Sequence, residues 1–180
     1  MYMRLPEIAC AIVIAAGLAP AAPLDFLPLE VGNRWEYQAD GRRDPAAIEV
    51  LKTEVIGGLT WYRVHWLNGN EVLLRVDERQ RLVAWNRERK GEELWVSFLA
   101  PDGELYHSQI APCSPSAQID RQSTADAVQV RYSGHCSDAG LMRETYVRSV
   151  GLTERTEVTY TGPVTWKLVS ARIAGREQAF

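Results

Sequence analysis

The stretch AIEVLKTEVIGGLTWYRVHW, residues 47–66, decides the fold class. From Thr60 onward Tyr62, Val64 and Trp66 fall on one face, with Arg63 and His65 on the other, which is the period-2 alternation of a half-buried strand. In residues 47–56 the alternation is imperfect. Ile48, Val50, Lys52 and Glu54 share one face and Glu49, Leu51, Thr53 and Val55 the opposite one. Gly57-Gly58 joins the two runs, and two adjacent residues that tolerate positive φ are a hairpin signal.

The same grammar continues outward. Asn68-Gly69-Asn70 turns the chain into residues 71–77, a charged turn at 78–80 leads to 81–86, and 87–93 is a mixed-charge loop. Residues 94–99 are apolar, Pro101-Asp102-Gly103 is turn chemistry, and 104–110 reads as a short strand. Residues 111–127, rich in Ala, Pro, Ser and Gln, read as a longer loop or irregular edge. Alternation resumes at 128–132, and three longer strands follow at 142–150, 153–160 and 164–173, with Gly162-Pro163 marking the last hairpin. The expectation is an all-β fold: a single antiparallel meander of about ten strands, strongly curved or barrel-like, because a sheet of that size twists and curls. A two-layer β-sandwich is the alternative. No amphipathic helix is available to cover an open sheet.

Residues 1–22 read as a signal peptide: Arg4, an apolar or small-residue run over 8–18, then small residues around Ala19-Pro20-Ala21. That run is shorter than the roughly 20 residues a membrane-spanning helix needs. A lipid on Cys10 and an N-terminal buried helix are the other readings. Residues 23–180 then form a single β-domain, exported to a periplasmic or extracellular space. Cleavage leaves two of the three cysteines, Cys113 and Cys136, and an even count in an oxidising compartment predicts a disulfide. The competing reading is a metal held by His107, Cys113, His135 and Cys136, but adjacent His135 and Cys136 cannot both point inward from a regular strand. No metal and no cofactor is expected.

The residues 28–37, PLEVGNRWEY, resemble the P-L-x-x-G-N-x-W-x-Y opening of uncharacterised exported bacterial β-domain proteins. Residues 146–153, YVRSVGLT, are similar to the Y-x-x-x-V-G-L element before their last hairpin, and 164–175 to their closing strand. The resemblance implies an extracytoplasmic β-domain and carries no catalytic motif with it. Independently of it, Trp35 and Tyr37 lie two apart and share a strand face, as core or groove residues.

Chemistry is sparse. The net charge of −3 argues against nucleic acid, whose phosphates need a basic surface. Lys52, Lys90 and Lys167 are the only lysines among many arginines, read as surface residues paired with Glu and Asp. His65, His107 and His135 have no Gly-x-Ser-x-Gly elbow beside them, and Asp77-Glu78 and Glu92-Glu93 sit in charged turns. No phosphate-cradling loop or HExxH motif occurs. The expectation is therefore not an enzyme but a binding or interaction domain, chiefly protein-contacting. The alternatives are a carrier of a small apolar ligand in a barrel cavity and a hydrolase with an unrecognised site. The aromatic residues Trp35, Tyr37, Trp61, Trp66, Trp85 and Trp95 are the candidate ligand or partner contacts. Trp61 and Trp66 have opposite parity, so regular strands cannot bury both in one core. A carrier requires an apolar cavity; an interaction module requires a filled interior.

Overall fold

The computed structural model describes residues 25–121, 126–134 and 136–180; the leader, Cys10 and His135 lie outside them. Six strands run as a meander: β1 (Arg34–Ala39), β2 (Ala46–Ile56), β3 (Leu59–His65), β4 (Glu71–Val76), β5 (Arg81–Asn86) and β6 (Gly91–Ser97). Six more follow in the same manner: β7 (Leu105–His107), β8 (Ser116–Arg121), β9 (Ala127–Ser133), β10 (Gly140–Val147), β11 (Gly151–Thr159) and β12 (Gly162–Ile173). β12 returns to pair with β1, so every neighbour in the sheet is a neighbour in sequence except this one. A short β13 (Arg176–Ala179) pairs with the end of β12. All pairings between these strands are antiparallel and belong to one sheet, which curves into a nearly closed, barrel-shaped form. Curling lets the sheet bury its apolar face against itself.

The seam lies between β6 and β7, and only side chains and loop backbone cross it. Gln109 N–H donates to Leu94 O at 2.7 Å, and Leu94 N–H donates to the Gln109 side-chain oxygen at 3.1 Å. The Ser108 hydroxyl donates to Trp95 O at 2.7 Å.

Gly57 and Gly58 take φ of 60° and 79°, the two positive values that a tight β2–β3 hairpin demands. Tyr62, Val64 and Trp66 face the interior core, as the alternation requires. The imperfect alternation of β2 has a physical cause: the register slips between Val50 and Lys52, so Leu51 is bulged. Ile48 and Val50 point inward before the bulge, whereas Glu54 after it meets Arg63 on the outside.

Thirteen strands replace the expected ten or so. β8 lies within the segment read as a loop, and β13 lies beyond the strand read as last. The β11–β12 turn falls at Tyr160-Thr161, two positions before Gly162-Pro163, and Ala174-Gly175 with positive φ makes a further turn into β13.

Alternating strand directions give the barrel two distinct ends. At one, residues 25–33 fold back beneath the sheet, and Phe26 and Leu27 are buried as a plug. The loops 40–45, 66–70, 87–90 and 108–115 and the Tyr160-Thr161 turn gather at the opposite end.

Candidate functional site

The interior is filled by a continuous cluster of buried side chains. From the plugged end, Phe26 packs on Phe98 with ring centroids 5.2 Å apart, and Phe98 meets Tyr146 edge-on at 5.1 Å. The Tyr146 hydroxyl donates to Glu144 at 2.9 Å, and the Tyr132 hydroxyl donates to the same carboxylate oxygen at 2.6 Å. Arg155 donates to the other Glu144 oxygen at 2.7 Å and to Glu157 at 2.9 Å. Glu144 is fully buried, and its charge is tolerated because each of its oxygens is hydrogen-bonded and one faces a guanidinium. Burial pushes the Tyr132, Tyr146 and Tyr37 phenols well above their ordinary range, and the Glu144 charge pushes them in the same direction.

Trp35 and Tyr37 are core residues of the plugged end. The Trp35 indole N–H donates to Val150 O at 2.5 Å, and the Tyr37 hydroxyl donates to Leu152 O at 2.8 Å. Gly151 lies between those two carbonyls with φ of +111°, and a Cβ there would come within 2.9 Å of the Trp35 indole nitrogen. Asn33 completes the arrangement by donating to Pro28 O at 2.8 Å and accepting from Ala174 N–H at 2.9 Å. The opening stretch 28–37 and the element 146–153 therefore clasp each other.

The remaining aromatic candidates are also largely withdrawn from solvent. Trp66 and Trp95 pack edge-on inside the barrel at 5.4 Å. Trp61 has the opposite parity and is nevertheless buried, in a satellite cluster with Leu73 and Val83 on the outer face of β3–β5. Trp85 lies against it at 5.6 Å, and the Arg75 guanidinium covers it at 5.2 Å while pairing with Glu92 at 2.6 Å. Trp85 is half-buried. These six residues do not assemble into one exposed patch.

Cys113 and Cys136 form the disulfide. It removes both cysteines from any metal-ligand set, and among the described residues no group of three ligand-type side chains comes together. Ser114, fully buried beside it, accepts from Leu141 N–H at 2.6 Å and donates to Leu141 O at 3.1 Å. Together these tie the 108–115 loop to β10.

Four surface grooves border the end opposite the plug. The first, about 830 Å³, lies between the 42–45 loop, the β3–β4 turn and Trp166. Others of about 490, 420 and 320 Å³ are bordered by Met142 and Pro163, by 86–88, and by 107–112 respectively. A smaller one of about 170 Å³ lies beside β13. In the first groove, Arg42 stacks its guanidinium 5.5 Å from the Trp166 ring centroid. Its loop is held by Arg42 N–H donating to Ala39 O at 3.1 Å and by the Gln38 amide donating to Arg42 O. Arg34, on the groove floor, is already engaged by Glu49 at 2.7 Å and Glu36 at 3.1 Å.

Sequence reasoning did not single out Arg42, Arg43, Trp166 or Tyr160, the last fully displayed at its turn. One signal was available: two adjacent arginines in the turn Asp40-Gly41-Arg42-Arg43-Asp44-Pro45. No family model matches the chain, and neither a curated protein nor a solved structure matches it.

Proposed function

We propose that this is an exported, non-catalytic interaction domain that docks a partner protein on the end of the barrel opposite the plug. The observation that carries this reading is the segregation of the surface: the interior is packed with the chain's own side chains, while four grooves collect around one end. The disulfide fits an oxidising compartment, and no helix among the described residues is long and apolar enough to cross a membrane.

The reading is tested by placing a photo-crosslinking residue at Arg43 or Tyr160 on the groove end, and at Val55 near the plugged end, in the exported protein within its own cells. One discrete adduct at Arg43 and Tyr160, absent at Val55, is the expected result. Equal labelling at all three positions, or labelling at Val55 alone, overturns it. Native mass spectrometry of the purified protein checks the carrier alternative, which requires a stoichiometric small adduct lost on denaturation.

A further inference from the structure

We infer that the Arg42–Trp166 groove binds an extended segment of that partner in which a carboxylate is flanked by apolar side chains. The inference rests on the docking reading above. Many arginines on the outer surface are paired with carboxylates within the chain: Arg63 with Glu54 and Glu71, Arg75 with Glu92, Arg81 with Asp77, Arg143 with Glu154. Among the described residues Arg42 and Arg43, like Arg79, Arg121, Arg172 and Arg176, have no carboxylate partner, and of these only Arg42 and Arg43 are adjacent in the chain and line a groove beside an aromatic ring. The Arg42 guanidinium carbon lies over the Trp166 ring, 5.5 Å from its centroid, and its donors are not committed to a carboxylate, so they can form a two-pronged bond to a ligand carboxylate.

Charge selects the class of ligand. Of the residues that line the groove, Arg34, Arg42 and Arg43 stand against Asp44 and Glu49, a net of one positive charge. That matches a single carboxylate better than a doubly charged phosphate. Pro45, Leu51, Leu67 and Trp166 supply an apolar wall beside the guanidinium pair. The groove is open to solvent and floored by strands, so it receives a chain laid along it. The hydrogen bonds that fix the 40–45 loop mean that little ordering is left to be done on binding.

The test compares two pooled hexapeptide libraries by fluorescence anisotropy with the intact exported protein. Both carry apolar residues at all positions but one; the remaining position is Glu in one pool and Gln in the other. The Glu pool is expected to bind about 10-fold tighter or more, as a charge-assisted fork requires. The Arg42→Ala/Arg43→Ala double variant should erase that preference while Arg176→Ala, on β13, keeps it. Equal binding of the two pools, no binding of either, or a preference that survives in the double variant overturns the inference. Displacement of the Glu pool by equimolar inorganic phosphate also overturns it, by making the groove a general anion site. Crosslinking at Tyr160 without a Glu preference leaves the docking reading standing and removes only this one.

Discussion

The two ends of the barrel are held together by different means. At the plugged end Phe26 and Leu27 seal the interior, and Trp35, Tyr37 and Asn33 bond to backbone atoms of residues 28, 150, 152 and 174. Large rings are spent there on closing the fold. At the groove end a disulfide, the Ser108 and Ser114 hydroxyls and the Gln38 amide fasten the loops, and Arg42, Arg43, Trp166 and Tyr160 remain at or near the surface. Residues that form the most hydrogen-bonded and buried arrangement are poorly placed to meet a partner. The sequence elements that stand out by eye are thus the fastening of the domain, and the surface fit for recognition is built from less conspicuous loop residues.

The contrast is tested most severely at the clasp. Trp35→Ala removes a fully buried indole and leaves Val150 O without its donor. A Trp-to-Ala change in a core costs about 3–5 kcal/mol, a large share of an ordinary domain's stability. Urea unfolding should show the midpoint collapsing or no cooperative transition at all. A loss under about 1 kcal/mol would mean that the clasp is not what holds the plugged end.

The disulfide should matter at the other end. Closing the loop between Cys113 and Cys136 restricts the unfolded chain, worth about 3 kcal/mol for a loop of this length. For Cys113→Ser/Cys136→Ser we expect a loss of that order, with amide hydrogen exchange accelerating in 108–115 and unchanged around Trp35. Acceleration spread equally over both ends would erase the distinction between them. The unreduced parent should show no titratable thiol from these two cysteines after denaturation.

Much of the fold is readable in the chain, because the alternation Tyr62-Val64-Trp66 and the Gly57-Gly58 turn are local facts. What escaped reading has local reasons too. Pro112 and Pro115 disguise the approach to β8, and β13 consists of four exposed residues with no apolar face to announce it. The bulge at Leu51 reverses the faces of β2 halfway along, which no fixed period anticipates. Trp61 illustrates a subtler limit. Its parity correctly puts it outside the main core, but burial there comes from Trp85 and Arg75 on neighbouring strands, and only strand register shows that they meet. The groove is less legible still, since Arg42 and Trp166 lie far apart in sequence and are brought together only because β12 closes on β1.

The interior between the two ends responds to alkali. Tyr37, Tyr132 and Tyr146 have phenol pKa values raised by burial first and by the Glu144 charge next. A raised folded-state pKa contributes stability that is fully present below the unfolded value of 10.0 and is lost as pH climbs toward the folded one. The tyrosine contribution to chemical stability should therefore be constant from neutrality up to about pH 10 and fall above it, with phenolate absorbance from these residues arising together with unfolding. Phenolate formation at Tyr37, Tyr132 or Tyr146 in a molecule that stays folded would contradict the packed, carboxylate-lined interior.

The smallest expected effect is the most diagnostic for the groove end. Arg42 and Arg43 are exposed, and neither takes part in an ion pair among the described residues. The stack of Arg42 on Trp166 contributes on the order of 0.5–1 kcal/mol at an exposed site, and exposed substitutions elsewhere usually fall within about 0.5 kcal/mol. Arg42→Ala/Arg43→Ala should then shift the urea midpoint barely, within about 1 kcal/mol, and leave the circular dichroism unchanged. A stability loss as large as that of Trp35→Ala would place these arginines among the fastenings of the fold. A near-neutral result leaves two guanidinium groups on a fixed loop with no structural duty, and a charged side chain that the fold does not need is free to be spent on a partner.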